Sequence, residues 1–228
     1  MSFTKNQGKS HKIWSNSKKE PKVAQYDKIV IAKMNTIIFI RHSTTILNQK
    51  HLIQGRGDYP LSDEGLKFAK NMAKKYHALG LTFDLIYSSP LIRAYKTAQV
   101  FKDEFKNDND IIKDDALIER DFGSAEGDVI TEDVYYNILN DLYEGIEPSK
   151  VFVKRVKDGI DRIMKLYENK TILIVTHSHT IKGFLYNLDK SVLVSSAMRN
   201  VSYTKVEYDS GNYRIVNMNM YPEDLENE

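Results

Sequence analysis

Two arginines and two histidines in this 228-residue chain stand where apolar runs end, and their chemistry is that of an oxyanion site. The run 36–40 gives way to Arg41 and His42. The run ending at Tyr87 gives way to Ser88 and Ser89, with Arg93 one turn on, and Val175 gives way to Thr176, His177 and Ser178. A guanidinium presents a planar fork of donors that matches phosphate oxygens, and helix N-termini after Ser89 and Thr176 would add backbone N–H groups and positive potential. A neutral imidazole can attack phosphorus while Arg41, Arg93 and the second imidazole stabilise charge on the equatorial oxygens, so neither a metal ion nor a cofactor is required. Glu119, in the stretch LIERDFGSAEG, is the candidate proton donor for the leaving oxygen, because a carboxyl in a partly apolar setting can stay protonated near neutral pH.

These groups need a scaffold that brings distant strand ends together. From residue 35 onward, apolar runs of strand length alternate with segments of helical period, which is the pattern of an α/β domain. The expected fold is a mostly parallel central sheet flanked by helices on both faces, with ligand groups converging at the carboxyl ends of its strands. Strands are expected at 36–40, 84–88 and 171–176, with a weaker one near 111–118. A hairpin joining 202–208 to 213–218 through Asp209-Ser210-Gly211-Asn212 would add an antiparallel edge near the C-terminus. Segment 62–79 reads as a helix, with Ser62 as N-cap and Leu66, Ala69, Met72, Ala73, Tyr76 and Leu79 on its core face. A second helix is expected over 90–105, capped by Ser89 with Pro90 first, and a third over 149–168. Tyr135, Tyr136 and Tyr143 belong to a helix over the site, as substrate contacts or as packing.

Composition bounds the alternatives. Apolar residues at 41% and charged residues at 28% match a globular domain large enough to need no disulfide or structural metal. No apolar run approaches the roughly 20 residues a bilayer-spanning helix requires, so no membrane association is expected. The absence of cysteine excludes thiolate chemistry and agrees with a cytoplasmic location. Residues 1–33 hold eight Lys against Glu20 and Asp27, a net +6 that leaves −4 for the remainder. They read as a basic, flexible extension ahead of a catalytic domain over 34–228. The acidic remainder argues against nucleic acid as a partner. A small phosphorylated metabolite is the expected ligand, and a homodimer is compatible with the sequence.

The motifs, taken in order, resemble the histidine phosphatase superfamily, which is also called phosphoglycerate mutase-like, and in particular its compact bacterial phosphatases. The resemblance covers about residues 35–220. It is carried by Arg41-His42, Asn48, Gln54-Gly55 with Asp58, Pro60 and Leu61, YSSPLIRAYKTA with Arg93, LIERDFGSAEG with Glu119, and IVTHSHTIKGFL with His177. It implies that His42 becomes phosphorylated and that Arg41, Arg93 and His177 surround the phosphoryl group. It further implies that Asn48, Gln54 and the Ser178 amide donate to phosphate, and that Glu119 protonates the leaving group and then activates water. The implied activity is metal-independent hydrolysis of phosphate monoesters. A phosphoglycerate mutase, or a phosphate-binding module with impaired turnover, are the alternatives. The short spacing between Glu119 and His177 argues against a mutase, since mutases of this family carry an insertion there.

Several positions depart from the family pattern. Ser43 and Ser178 follow the two histidines where the family has Gly, and His179 replaces a further small residue. If those positions need φ above zero, a serine costs on the order of 1 kcal/mol; alternatively each hydroxyl adds a donor to phosphate. Leu47 and Ala125 stand at common Trp positions and bear on pocket shape. Glu147 lies near a glutamate that approaches substrate in relatives. His177 and His179 could be read as a metal pair, but a helix beginning there would turn them apart. The tripeptide Arg56-Gly57-Asp58 reads as a tight loop.

Overall fold

The apolar run 36–40 forms the centre of strand β1 (Met34–Arg41) in a computed structural model that describes residues 34–192 and 197–226. The basic extension over 1–33 lies outside the described residues. After β1 come α1 (Ile46–Gln49), α2 (Asp63–Ala78), β2 (Leu85–Ser88), α3 (Ile92–Glu104) and β3 (Ile111–Lys113). There follow α4 (Glu132–Leu139), α5 (Ser149–Lys165), β4 (Thr171–Thr176), α6 (Ser178–Leu188), β5 (Tyr203–Asp209), β6 (Asn212–Met220) and α7 (Pro222–Leu225).

The strands form one sheet in the order β3-β2-β4-β1-β5-β6. Pairs β3–β2, β2–β4 and β4–β1 are parallel, whereas β1–β5 and β5–β6 are antiparallel, as the α/β expectation requires. Strand β1 is apolar without alternation because both its faces are covered. Ile37 and Phe39 pack with Phe152 and Ile160 of α5 and Phe184 of α6, while Ile38 and Ile40 pack with Met72 and Tyr76 of α2 and Phe101 of α3. Strand β4 repeats the division, with Ile172 and Ile174 on the first side and Leu173 and Val175 on the second.

Register is what positions the chemistry. Arg41 pairs with Thr176 across β1 and β4, and Ser88 pairs with Val175 across β2 and β4. His42, His177 and Ser89 therefore leave three neighbouring strands at the same level, about one strand spacing of ~4.8 Å apart.

Some boundaries differ from expectation for local reasons. Helix α3 begins at Ile92 rather than at Pro90: the Ser89 hydroxyl accepts from the Leu91 N–H, and the N-cap residue Leu91 has no side chain able to cap the first turn. Asp58 does so from across the fold, accepting from the Ile92 N–H at 2.6 Å. The strand expected over 111–118 ends at Lys113, where Asp114 accepts from the Ala116 N–H and starts a 3-10 turn over Asp115–Leu117. Leu66 and Leu79 lie outside the α2 core stripe, which narrows to Ala69, Met72, Ala73 and Tyr76. Helix α5 stops at Lys165, short of Tyr167, whose carbonyl accepts from the Asn35 amide at 2.7 Å. In the hairpin, Asp209 pairs with Asn212, so Ser210 (φ 50°) and Gly211 (φ 96°) form the two-residue turn with positive φ that suits strand twist.

Candidate active site

His42 is 3% exposed, and its Nδ1 lies 2.7 Å from the Ser43 carbonyl oxygen. A carbonyl only accepts, so Nδ1 carries the hydrogen and Nε2 holds the lone pair. Burial, with Arg93 and Arg41 close by, holds the proton affinity of this imidazole well below the ordinary histidine value, which keeps it neutral and nucleophilic. The Asn200 amide donates to the His42 carbonyl at 2.8 Å and fixes the backbone from the other side.

The ring of His177 lies 5.2 Å from that of His42, centroid to centroid. Ser89 Oγ accepts from the Leu91 N–H at 3.3 Å and meets His177 Nε2 at 2.8 Å, so the ring is held through Nε2 and not through Nδ1. That Nδ1 has no partner. Burial, then Arg93 and His42, keep His177 neutral as well. The guanidinium of Arg93, 1% exposed, donates to the carbonyls of Gly55 and Gly57 at 2.7 Å each, and that of Arg41 donates to the Met198 carbonyl. Their Nε atoms, both buried, have no partner. Burial lowers the proton affinity of both guanidiniums, that of Arg93 to about 10, which leaves Arg93 charged at neutral pH. Buried donors left unsatisfied are rare in folded proteins, and here they gather around the His42 imidazole. An oxyanion would satisfy them.

The polar loop after β1 supplies further donors. The Thr45 N–H donates to Asn48 Oδ1 at 3.1 Å and the Thr45 hydroxyl to Gln54 Oε1 at 2.9 Å, so both amides are held by oxygen and have their NH₂ groups to offer to the cavity they line. Gly55 takes φ +50°, and a Cβ there would strike the Glu126 carboxylate at 1.8 Å. That carboxylate accepts from the N–H groups of Arg56 (2.7 Å) and Gly57 (3.2 Å), curling the loop so that its carbonyls face Arg93. Arg56 pairs with Glu147 and Asp121, and Asp58 caps α3, so this tripeptide is indeed a tight loop.

Glu119 is 7% exposed, yet its setting is not the apolar one expected. Its Oε1 accepts from the N–H groups of Arg120 and Thr180 and from the Thr180 hydroxyl, each at 3.1 Å, while Oε2 accepts only from the His179 N–H at 3.2 Å. The carboxyl sits against the N-terminal turn of α6, and Oε2 is the oxygen that meets fewer donors. Ser178 opens that helix and lines the same cavity of about 910 Å³ as Arg41, His42, Arg93 and Glu119. Its far wall is apolar, built from Ile53, Phe122, Ile130, Tyr136 and Leu139.

The two serines are accommodated without strain, since neither Ser43 nor Ser178 has positive φ. The Ser43 hydroxyl donates to the Gly65 carbonyl at 2.7 Å rather than toward the cavity. Glu147 turns away from a substrate role, its two oxygens meeting Arg155 at 2.8 Å each. Tyr135 and Tyr136 line the cavity from α4, whereas Tyr143 packs with Ile53 and Phe122. His177 and His179 diverge, the latter meeting Tyr135 and Phe122. Lys182 and Asn200 also line the cavity. Neither is marked by the sequence: Lys182 falls in an ordinary helical stretch and Asn200 in a loop, and only the fold brings them in.

A mostly parallel sheet carries this cluster at its strand ends, and residues 37–221 match the histidine phosphatase superfamily (branch 1), to which the chain belongs. It is 27% identical to the uncharacterized phosphatase PhoE of Bacillus subtilis over 82% of this chain and 95% of the relative. It is 30% identical to a 2,3-bisphosphoglycerate-dependent phosphoglycerate mutase of Parvibaculum lavamentivorans, over 68% of this chain and 80% of that one. Among solved structures, the phosphoserine phosphatase of Entamoeba histolytica, in complex with phosphoserine, superposes with a TM-score of 0.70 at 26% identity, covering 81% of this chain and 96% of that one.

Proposed function

We propose that the protein hydrolyses phosphate monoesters of small metabolites through a phosphohistidine on His42. The observation that carries this reading is the His42 imidazole itself: neutral, with Nδ1–H tied to the Ser43 carbonyl and Nε2 available beside two guanidiniums and a second imidazole. Nε2 attacks phosphorus, the P–Nε2 bond forms as the bond to the ester oxygen breaks, and Glu119 Oε2 gives its proton to the departing alkoxide. Arg41, Arg93 and His177 hold the equatorial oxygens, with Asn48, Gln54 and the Ser178 amide as further donors. Glu119, now a carboxylate, takes a proton from water as that water attacks phosphorus. The P–Nε2 bond breaks, and phosphate and neutral His42 are restored.

The guanidiniums supply the charge compensation, so the step calls for no metal. Phosphatases among the relatives, one solved with phosphoserine, support hydrolysis of a small phosphorylated substrate. The mutase relative supports a second reading in which the phosphoenzyme is passed to a bound product, and phosphate exchange between phosphoglycerates faster than release of free phosphate would favour it. The test is phosphate release over a panel of phosphorylated metabolites with chelator present. His42→Ala should lose at least about a thousandfold, as removal of a covalent nucleophile does. Equal rates for the two proteins would reject the mechanism.

A further inference from the structure

Ser89 has no part in the proposed reaction, yet it holds one of the groups that does. Its side chain and the His177 ring are both fully buried, and Oγ meets Nε2 at 2.8 Å. The other ring nitrogen, Nδ1, is buried with no partner among the described residues. If His177 holds a phosphoryl oxygen, Nδ1 is therefore the nitrogen that does so, and it serves an anion only when it carries hydrogen. A lone pair there would face the lone pairs of the anion.

The backbone around Ser89 fixes where its hydroxyl stands. The Ser89 N–H donates to the Val175 carbonyl at 3.0 Å, which ties the end of β2 to β4 two residues before His177. Its carbonyl accepts from the Ser88 hydroxyl at 2.8 Å, and Pro90 restricts the Ser89 backbone to extended conformations. Oγ accepts from the Leu91 N–H at 3.3 Å and meets His177 Nε2, with no other partner among the described residues. This limits where the hydrogens can lie. With a proton on Nε2, Oγ would accept twice and its own hydrogen would be buried without an acceptor, which is rare in folded proteins. With a proton on Nδ1, the hydroxyl donates to Nε2 and is satisfied. Burial, more than any neighbouring charge, keeps the ring neutral, so one of these two tautomers is present rather than the doubly protonated form.

We propose that Ser89 is a positioning residue that sets the tautomer of His177: its hydroxyl donates to Nε2, and the ring thereby presents Nδ1–H to the phosphoryl oxygens. This rests on the phosphatase reading only for the anion that Nδ1–H meets. The two imidazoles are then set in opposite senses by their partners. A carbonyl at Nδ1 leaves His42 a lone pair for phosphorus, and a hydroxyl at Nε2 leaves His177 a donor for oxygen.

The test is the imidazole nitrogen NMR spectrum of the full chain at neutral pH without ligand, with His177 assigned by the signals that vanish in His177→Gln. An unprotonated Nε2 and a protonated Nδ1 are expected, and a proton on Nε2 would overturn the proposal. The spectrum needs no turnover, so a failure to release phosphate from any ester would defeat the reaction while the tautomer is still decided. Ser89→Ala should shift the ring toward the Nε2–H tautomer and weaken binding of inorganic phosphate at least about tenfold, the range for a lost hydrogen bond to a charged group. Ser89→Thr keeps the hydroxyl and should restore most of both. A Ser89→Ala protein that melts lower yet keeps the parental tautomer and phosphate affinity would give Ser89 a structural role alone and overturn the assignment. The parent spectrum decides the matter even if Ser89→Ala does not fold.

Discussion

The tautomer of one residue decides what this cavity can do. A His42 ring with its proton on Nε2 would present a donor to phosphorus and no lone pair. The Ser43 carbonyl prevents this by occupying Nδ1–H, a task for the backbone rather than for the side chain at position 43. Ser43 can thus stand where the family has glycine without disturbing the bond from Nδ1–H. Glu119 is governed by the geometry of its two oxygens, one filled by three donors and one by a single N–H. Glu119→Gln would set an NH₂ group against N–H donors and remove the transferable proton. Phosphate release from alkyl phosphates should fall by about a hundredfold or more, in the range of lost general acid catalysis. Loss with 4-nitrophenyl phosphate should be at least tenfold smaller, because its phenolate leaves without protonation. Equal losses with both esters would assign Glu119 a role other than acid.

At the scale of elements, the site is held by long-range clamps rather than by the helices' own ends. Asp58 caps α3, Glu119 occupies the N-terminal turn of α6, and Glu147 joins the segment before α5 to Arg155 on that helix and to Arg56 in the loop after β1. Arg155 in turn donates to the Ala116 and Ile118 carbonyls at 3.0 Å, immediately before Glu119. Burial opposes charge on Glu147, but Arg155 and Arg56 outweigh it and hold the carboxyl below its ordinary range. Glu147→Ala would strand the Arg155 guanidinium and loosen the segment that delivers Glu119. We expect a loss of about 2 kcal/mol in chemical denaturation, less than a fully buried pair would cost because Arg155 is partly exposed. The rate should fall together with stability, whereas Glu147→Gln should recover part of both.

For the whole molecule, the cavity carries a cost that appears in acid. His42, His177 and His179 are all buried and all held well below the histidine value of 6.5, chiefly by desolvation. Above that value each is neutral whether folded or unfolded and contributes no pH dependence. Below it the unfolded chain takes up protons that the folded chain does not, so stability is lost progressively as pH falls. For these three rings the melting temperature should therefore be near level around pH 7 and drop below pH 6.5. Added inorganic phosphate should raise it by mass action at neutral pH, and His42→Asn should flatten the acid limb. A melting temperature unchanged down to pH 5 would contradict the burial of these three rings.

Much of the molecule was legible in the order of its residues because the decisive signals are local. Uninterrupted apolar runs announce strands covered on both faces, and the polar pairs directly after them, Arg41-His42, Ser88-Ser89 and His177-Ser178, announce strand ends used for chemistry. Other features depend on residues far apart in the chain, and no local pattern encodes them. The start of α3 at Ile92 is decided by Asp58, the surroundings of Glu119 by α6, and the inward course of Lys182 by Tyr135 and the cavity it lines. Hydrophobic periodicity sets which face of an element is buried. The partners that a buried polar group finds there are set by packing, and in this protein those partners decide which nitrogen of His42 keeps its lone pair and which oxygen of Glu119 meets fewer donors.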